Sequence, residues 1–374
     1  MHRTILRFGL VAWTLSSVFL AAEIAAVQSD NAGTFAVVGG HILGHGEKTL
    51  LVRDGRIEEV SSATPSASLR LIQADGQFIT PAFIDSHVHL AYAFSGPELA
   101  RGGIVAAVDL AAPEEFLSSD LTPLHVLRTG PMVTAVTGYP TKSWGSDGYG
   151  LEISGTQAAR DAVDRLHAAG ARVIKIPVGD ATGNGALSMA KNPAKLTDKE
   201  MKAIVDQAHF HGMRVASHAL NDIDVQRAAR AGVDVLAHTP TARLSDETVA
   251  AWSGRAVIST LAAFTDLTEP AENVRRLVEG GATVLYGTDM GYTTYPGINP
   301  RELELLGRAG LDTQSIIASG TTVPAKFWGF DAGLVTLEVG SPANFLILAR
   351  NPETDPLTLS RPRAVYINGR QVDK

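Results

Sequence analysis

Short apolar runs recur along the middle of the chain, with amphipathic stretches between them. Eight of the runs read as strands: FIDSHVHL (83–90), IVAAVDLA (104–111), MVTAVTGY (132–139), RVIKIPVG (172–179), RVASHAL (214–220), VDVLAHT (233–239), AVISTLA (256–262) and TVLYGTD (283–289). They are near-continuous in apolar residues rather than alternating, as expected of strands covered on both faces. Helical segments separate most of them. Thr156 to Ala169 is amphipathic and stops at Gly170. Thr197-Asp-Lys-Glu200 is a capping box that opens a helix running to His211, with Gly212 as its stop. Asp222 to Ala231 ends before Gly232, and Ala271 to Glu279 before Gly280. Eight strand–helix units over residues 81–329 predict an α/β fold of the (β/α)8 TIM-barrel kind. A doubly wound open sheet is the alternative, weakened because no G-x-G-x-x-G follows the first strand.

The two ends of the chain have a different texture. FAVVGGHIL, KTLLVRDGRIEEV and LRLIQADGQFI are short runs broken by Gly-Gly and Asp-Gly turns, and NFLILA and RAVYINGRQV repeat that style near the C-terminus. Residues 35–80 and 330–374 are therefore expected to pair as one small β-sandwich domain. Residues 1–26 read as a secretory signal peptide: Arg3 and Arg7 precede an apolar stretch from Phe8 to Ala22, and Ala21, Ala22, Ala25 and Ala26 follow as small residues. That stretch is shorter than the roughly 20 residues a bilayer span needs. An uncleaved anchor is the alternative. The expected location is periplasmic or secreted.

Composition narrows the chemistry. The 374 residues are 45% hydrophobic and 19% charged, which excludes a disordered or fibrous chain. Asp and Glu outnumber Lys and Arg by 39 to 32, with no basic block, so the electrostatic footprint of a nucleic-acid binder is missing. There is no Cys, hence no disulfide, thiol nucleophile or Cys-metal site. Any metal must be held by His, Asp, Glu or a Lys derivative. The expected partner is a small-molecule substrate, with no membrane span once the leader is removed; a homo-oligomer is left open.

Polar residues near the strand ends stand out against this background. The first strand carries Asp85, His87 and His89 at a spacing of two, on one side of the strand. The fourth carries Lys175 between Ile174 and Ile176; the fifth His218, the sixth His238 and the eighth Asp289. A single strand His is ordinarily a hydrogen-bonded core residue. The set is another matter, because a buried ionisable group costs several kcal/mol unless it is paired or ligating. Lys175 is either a plain ion pair with Asp289 or Asp85, or a neutral amine that takes up CO2. The resulting carbamate is an anion able to bridge two metal ions. His125, His167, His209 and His211 fall in stretches read as helical. In the loops, Tyr139, Tyr292 and Tyr295 are candidate substrate contacts, with the segments Tyr139–Trp144 and Gly179–Lys195 nearby.

These residues resemble the motifs of the amidohydrolase superfamily. Thr80-Pro-Ala-Phe-Ile-Asp-Ser-His-Val-His89 is similar to its strand-one motif, Gly287-Thr-Asp289 to its strand-eight motif, and Gly340-Ser-Pro-Ala-Asn-Phe345 to its C-terminal turn. The Ile-Lys-Ile stretch and the helix from Glu200 to His211 look most like the prolidase-type, imidazolonepropionase-related branch. The resemblance implies two divalent metals, commonly Zn2+: His87, His89 and Asp289 on one, His218 and His238 on the other, with carboxylated Lys175 and a hydroxide bridging them. It also implies Asp289 as general base in an enzyme cleaving an amide C–N bond in a dipeptide or N-acyl amino acid; the leader reading makes that enzyme an exported one. The same site could serve a lactone, cyclic imide or phosphotriester, and a non-catalytic binding protein on the same barrel is a further alternative. The chain departs from the pattern at Ala82 (usually Gly), Ala237 (usually Glu), Thr239 (usually Gly) and Asn344 (usually Asp), none of them a predicted ligand.

Overall fold

The computed structural model describes residues 33–93, 96–179, 193–264 and 268–373. The expected leader at 1–26 and most of the 179–195 loop lie outside them. The protein is α/β with mixed sheets. Its largest parallel sheet has five strands in chain order: Val173–Pro177, Arg214–His218, Val235–Leu236, Ala256–Ile258 and Thr283–Leu285. A second parallel sheet contains Phe83–Val88, Ile104–Asp109 and His125–Arg128. Backbone hydrogen bonds join the two sheets at both edges. Ser86 N–H donates to Tyr286 C=O (2.9 Å) and His89 N–H to Met290 C=O (2.8 Å); at the other edge Arg172 N–H donates to Arg128 C=O (3.0 Å).

The helices follow their sequence signals. In Asp198–Phe210 the Thr197 side chain accepts from the Glu200 N–H and Glu200 accepts from the Thr197 N–H, which satisfies two free donors of the first turn. Thr156–Ala169 and Asp222–Ala231 both end on left-handed glycines, Gly170 and Gly232. Each helix buries one apolar stripe, for example Ala159, Ala162, Val163 and Leu166.

Two expectations are corrected. His125 is not helical; it opens the strand His125–Arg128, which pairs with Ala106–Asp109. That stretch has little periodicity of its own, so the pairing partner decides its state. The run 132–139 is a strand only over Met132–Ala135, paired in parallel with Gly150–Ile153. It breaks where Thr137 takes a φ of 61° and its N–H turns to the Glu152 carboxylate (2.8 Å).

The chain ends meet in a six-stranded sheet. Phe345–Leu348 pairs antiparallel with both Ala364–Ile367 and Phe78–Pro81, and the latter runs parallel to His41–Ile42. A four-stranded sheet of Arg56–Ser61, Thr49–Arg53, Phe35–Val38 and Arg70–Gln73 accompanies it. One apolar cluster draws on both ends of the chain, with Phe35 packed on Tyr366 and Phe345 stacked on Tyr366 at 4.6 Å. Pro81 leads directly into Phe83–Val88, so this sheet anchors the strand that carries His87. Among the described residues no helix is long and apolar enough to cross a membrane.

Asn344 is fully buried; its amide donates to Leu334 C=O (3.1 Å) and accepts from Asn368 N–H (2.7 Å). Asn344→Ala removes both bonds and leaves a buried carbonyl unpaired, so an equilibrium urea titration is expected to show a loss of about 1–3 kcal/mol.

Candidate metal centre

The site is assembled where the first strand and the segment after the last one lie side by side. Gly287 makes that approach feasible: a Cβ there would stand 2.3 Å from the Ile258 methyl carbon Cγ2 and 3.1 Å from the His87 nitrogen. Asp85 then ties the two segments together. Its carboxylate accepts from His87 N–H (3.0 Å), Thr288 N–H (3.1 Å) and the Thr288 hydroxyl (2.6 Å). One residue on, Asp289 has a φ of 53°, a left-handed backbone uncommon outside glycine. That conformation turns its carboxylate toward the histidines.

The resulting distances are short. Asp289 Oδ1 lies 3.3 Å from His87 Nε2 and 3.1 Å from His89 Nε2, and Asp289 Oδ2 lies 3.7 Å from His238 Nδ1. His87 Nε2 and His89 Nε2 are 3.2 Å apart. His238 packs between His87 (ring centroids 4.6 Å) and His218 (4.9 Å). The Ala237 carbonyl accepts from His87 Nδ1 at 2.7 Å, which leaves Nε2 with its lone pair free to ligate. All of these side chains are buried. Burial holds His87 and His238 well below the ordinary imidazole pKa, and neutral imidazole is the ligating form. Burial pushes Asp289 up, but the imidazoles around it outweigh this and keep the carboxyl ionised.

Lys175 is fully buried, and its Nζ has no hydrogen-bond partner among the described residues. Burial lowers its pKa from 10.5 to about 7 despite the nearby Asp289 charge. The expected alternative, an ion pair with Asp85 or Asp289, is therefore not formed at hydrogen-bond distance. Facing imidazole nitrogens, an ionised carboxylate and an orphaned amine, sealed together from water, make a donor set suited to divalent cations. His87, His238 and Asp289 alone bring ligand atoms within 4.8 Å of one another.

The sequence pattern of the amidohydrolase family matches residues 78–372. The chain belongs to the amidohydrolase family. Imidazolonepropionase of Mycolicibacterium smegmatis is 27% identical over 284 residues, covering 65% of this amidohydrolase and 69% of its relative. Among solved structures, a putative prolidase from Bifidobacterium longum is 25% identical with a TM-score of 0.74, covering 92% of this chain and 95% of that one. A Xaa-Pro dipeptidase crystallised with methionine in its active site has a TM-score of 0.76 at 19% identity, covering 90% and 99%. This amidohydrolase is thus a metal-binding hydrolase of the prolidase- and imidazolonepropionase-related branch.

The loop tyrosines divide. Tyr139 lies over His218 at 5.0 Å. Tyr295 instead donates its hydroxyl to Ser360 C=O (3.0 Å), and Tyr292 is 48% exposed. Trp144, from the loop segment that the sequence singled out, meets the His89 ring edge-on at 5.8 Å. The sequence reading missed Tyr92, which stacks on the same ring at 5.4 Å. Tyr92 sits three residues after His89, a proximity that could have flagged it. Thr288 and Asp109 were also missed: Asp109 accepts from Leu90 N–H (3.3 Å) and Ala111 N–H (3.4 Å), bracing the chain that leaves His89.

Because Lys175 makes no hydrogen bond, Lys175→Met is expected to fold with an unchanged circular dichroism spectrum. Its bound divalent metal, measured by elemental analysis, is expected to fall by at least half.

Proposed function

We propose that this amidohydrolase is an exported hydrolase that uses two divalent cations, zinc being the natural candidate, to cleave an amide C–N bond in a dipeptide or N-acyl amino acid. The observation that carries the reading is the buried Lys175 amine, which has no hydrogen-bond partner among the described residues and lies in the electrostatic reach of Asp289, His87 and His238. We also read the two parallel sheets as parts of one closed (β/α)8 barrel over 81–329. The backbone bonds at both of their shared edges and the solved relatives support this. Residues 35–80 and 330–374 form its β-sandwich, supported by the apolar cluster that both segments share.

In this reading His87, His89 and Asp289 would hold one cation, and His218 and His238 the second. The neutral Lys175 amine would add to CO2 with loss of one proton, and the carbamate would supply the anionic oxygens shared with the cations. Bound cations would polarise the substrate carbonyl and acidify water. Asp289 takes the proton released as water attacks, and returns it to the leaving nitrogen. Its ionised state and its place beside His87 and His89 fit it for the first of these roles. The Ala237 carbonyl fixes the His87 tautomer throughout.

The test is a panel of dipeptides and N-acyl amino acids offered to protein loaded with Zn2+. Amine release is expected, abolished by a chelator and restored by added divalent metal. No release from any amide at any metal loading would overturn the reading. His218→Ala is expected to lower kcat/KM by about 100-fold or more, equivalent to roughly 2.7 kcal/mol of transition-state stabilisation.

A further inference from the structure

Four aromatic side chains form a continuous arc from one end of the metal centre to the other. Tyr92 stacks on His89 with the rings 18° from parallel. Tyr149 meets both Tyr92 (5.5 Å) and Trp144 (5.4 Å). Trp144 in turn meets Tyr139 (6.1 Å), and Tyr139 lies over His218 (5.0 Å). The arc thus begins on one candidate ligand, His89, and ends on another, His218. Tyr139, Trp144 and Tyr149 lie on the one connection between the paired strands Met132–Ala135 and Gly150–Ile153, whereas Tyr92 follows the strand Phe83–Val88. Chain proximity gathers the first three, but not their meeting with Tyr92 about fifty residues earlier.

A hydrophobic core does not explain it either. Tyr92 is 45% exposed although its ring is ordered against His89. The polar edges of the arc face inward on themselves, because the Trp144 indole N–H donates to the Tyr139 hydroxyl (2.7 Å). What Trp144 offers a neighbour is ring face and ring edge. Ring pairs at these separations and tilts are the offset and edge-to-face arrangements that aromatic groups prefer, so a further ring can extend the array.

We propose that Tyr92, Tyr139, Trp144 and Tyr149 form a subsite for an aromatic group carried by the substrate next to its scissile amide. This rests on the amide-hydrolase reading above. An ammonium group is the competing occupant, since electron-rich rings also attract cations. It is disfavoured here because two divalent cations would lie against the same His89 and His218 rings and repel it. Of the buried carboxylates near the arc, Asp109 is occupied by the Leu90 and Ala111 N–H groups and Asp289 by the imidazoles of His87 and His89.

The experiment compares N-acetylglycine, N-benzoylglycine, N-acetylphenylalanine and N-acetyllysine on the Zn2+-loaded full chain. Hydrolysis and calorimetric binding are measured in parallel, with wild type, Trp144→Leu and Trp144→Phe. At least one aromatic compound is expected to exceed N-acetylglycine tenfold in kcat/KM and in affinity. That ratio is expected to fall to about threefold or less in Trp144→Leu and to recover in Trp144→Phe, with metal content and circular dichroism confirming that both variants fold. Equal use of all four compounds, or preference for N-acetyllysine, overturns the subsite. Tenfold tighter binding of an aromatic compound without any amide hydrolysis refutes the amide reading and leaves the subsite standing.

Discussion

The carboxylate of Asp85 holds together the two segments on which the metal centre depends. It takes three hydrogen bonds, one from the chain at His87 and two from Thr288. Burial pushes its pKa up and those donors oppose the rise, leaving it at about 7. The neighbouring residues inherit their positions from this contact. His87 and His89 project from one segment, Asp289 follows Thr288 on the other, and their ligand atoms come to 3.1–3.3 Å. Gly287 is the steric condition for it, since any side chain there would strike Ile258 and the His87 backbone.

Lys175 and the histidines illustrate how such a centre is held at a net energetic disadvantage. Each is a polar group taken out of water, which is unfavourable unless something in the interior replaces the lost solvation. His87 finds the Ala237 carbonyl, and Asp289 finds imidazoles. Lys175 finds nothing at hydrogen-bond distance. The apolar packing of the surrounding strands, with Ile174, Ile176, Val215 and Leu236 fully buried, carries that imbalance.

The proposed aromatic subsite lies elsewhere in the fold. The candidate ligand residues sit on strands or directly after them, whereas the aromatic arc is built largely from the connections that follow the strands. Strands hold their residues in fixed register, and loops tolerate variation more readily. The departures at Ala82, Ala237, Thr239 and Asn344 lie outside those connections. Ala82 and Asn344 lie in the junction with the end sheet, where Ala82 N–H donates to Asn344 C=O, while Ala237 and Thr239 flank His238 and supply bonds through the Ala237 carbonyl and the Thr239 hydroxyl.

Much of this was legible in the linear order of residues. Apolar runs alternating with capped helices identified the α/β class, and H-x-H, Lys, His, His and Asp at strand ends identified the candidate ligands. Both signals are local: a strand buried on two faces must be apolar, so an ionisable residue inside one is conspicuous. The strand at His125–Arg128 was not legible, because a short weakly patterned segment takes its state from the strand it pairs with. Nor were the lack of a hydrogen-bond partner for Lys175 among the described residues, the bracing by Thr288, or the meeting of Tyr92 with Trp144 and Tyr149. Periodicity along one chain tells which face of an element is buried, but contacts between residues fifty to two hundred positions apart depend on how the elements close on one another. Sequence by itself thus determined the elements and the chemistry they carry; only the tertiary structure decided which of those groups touch.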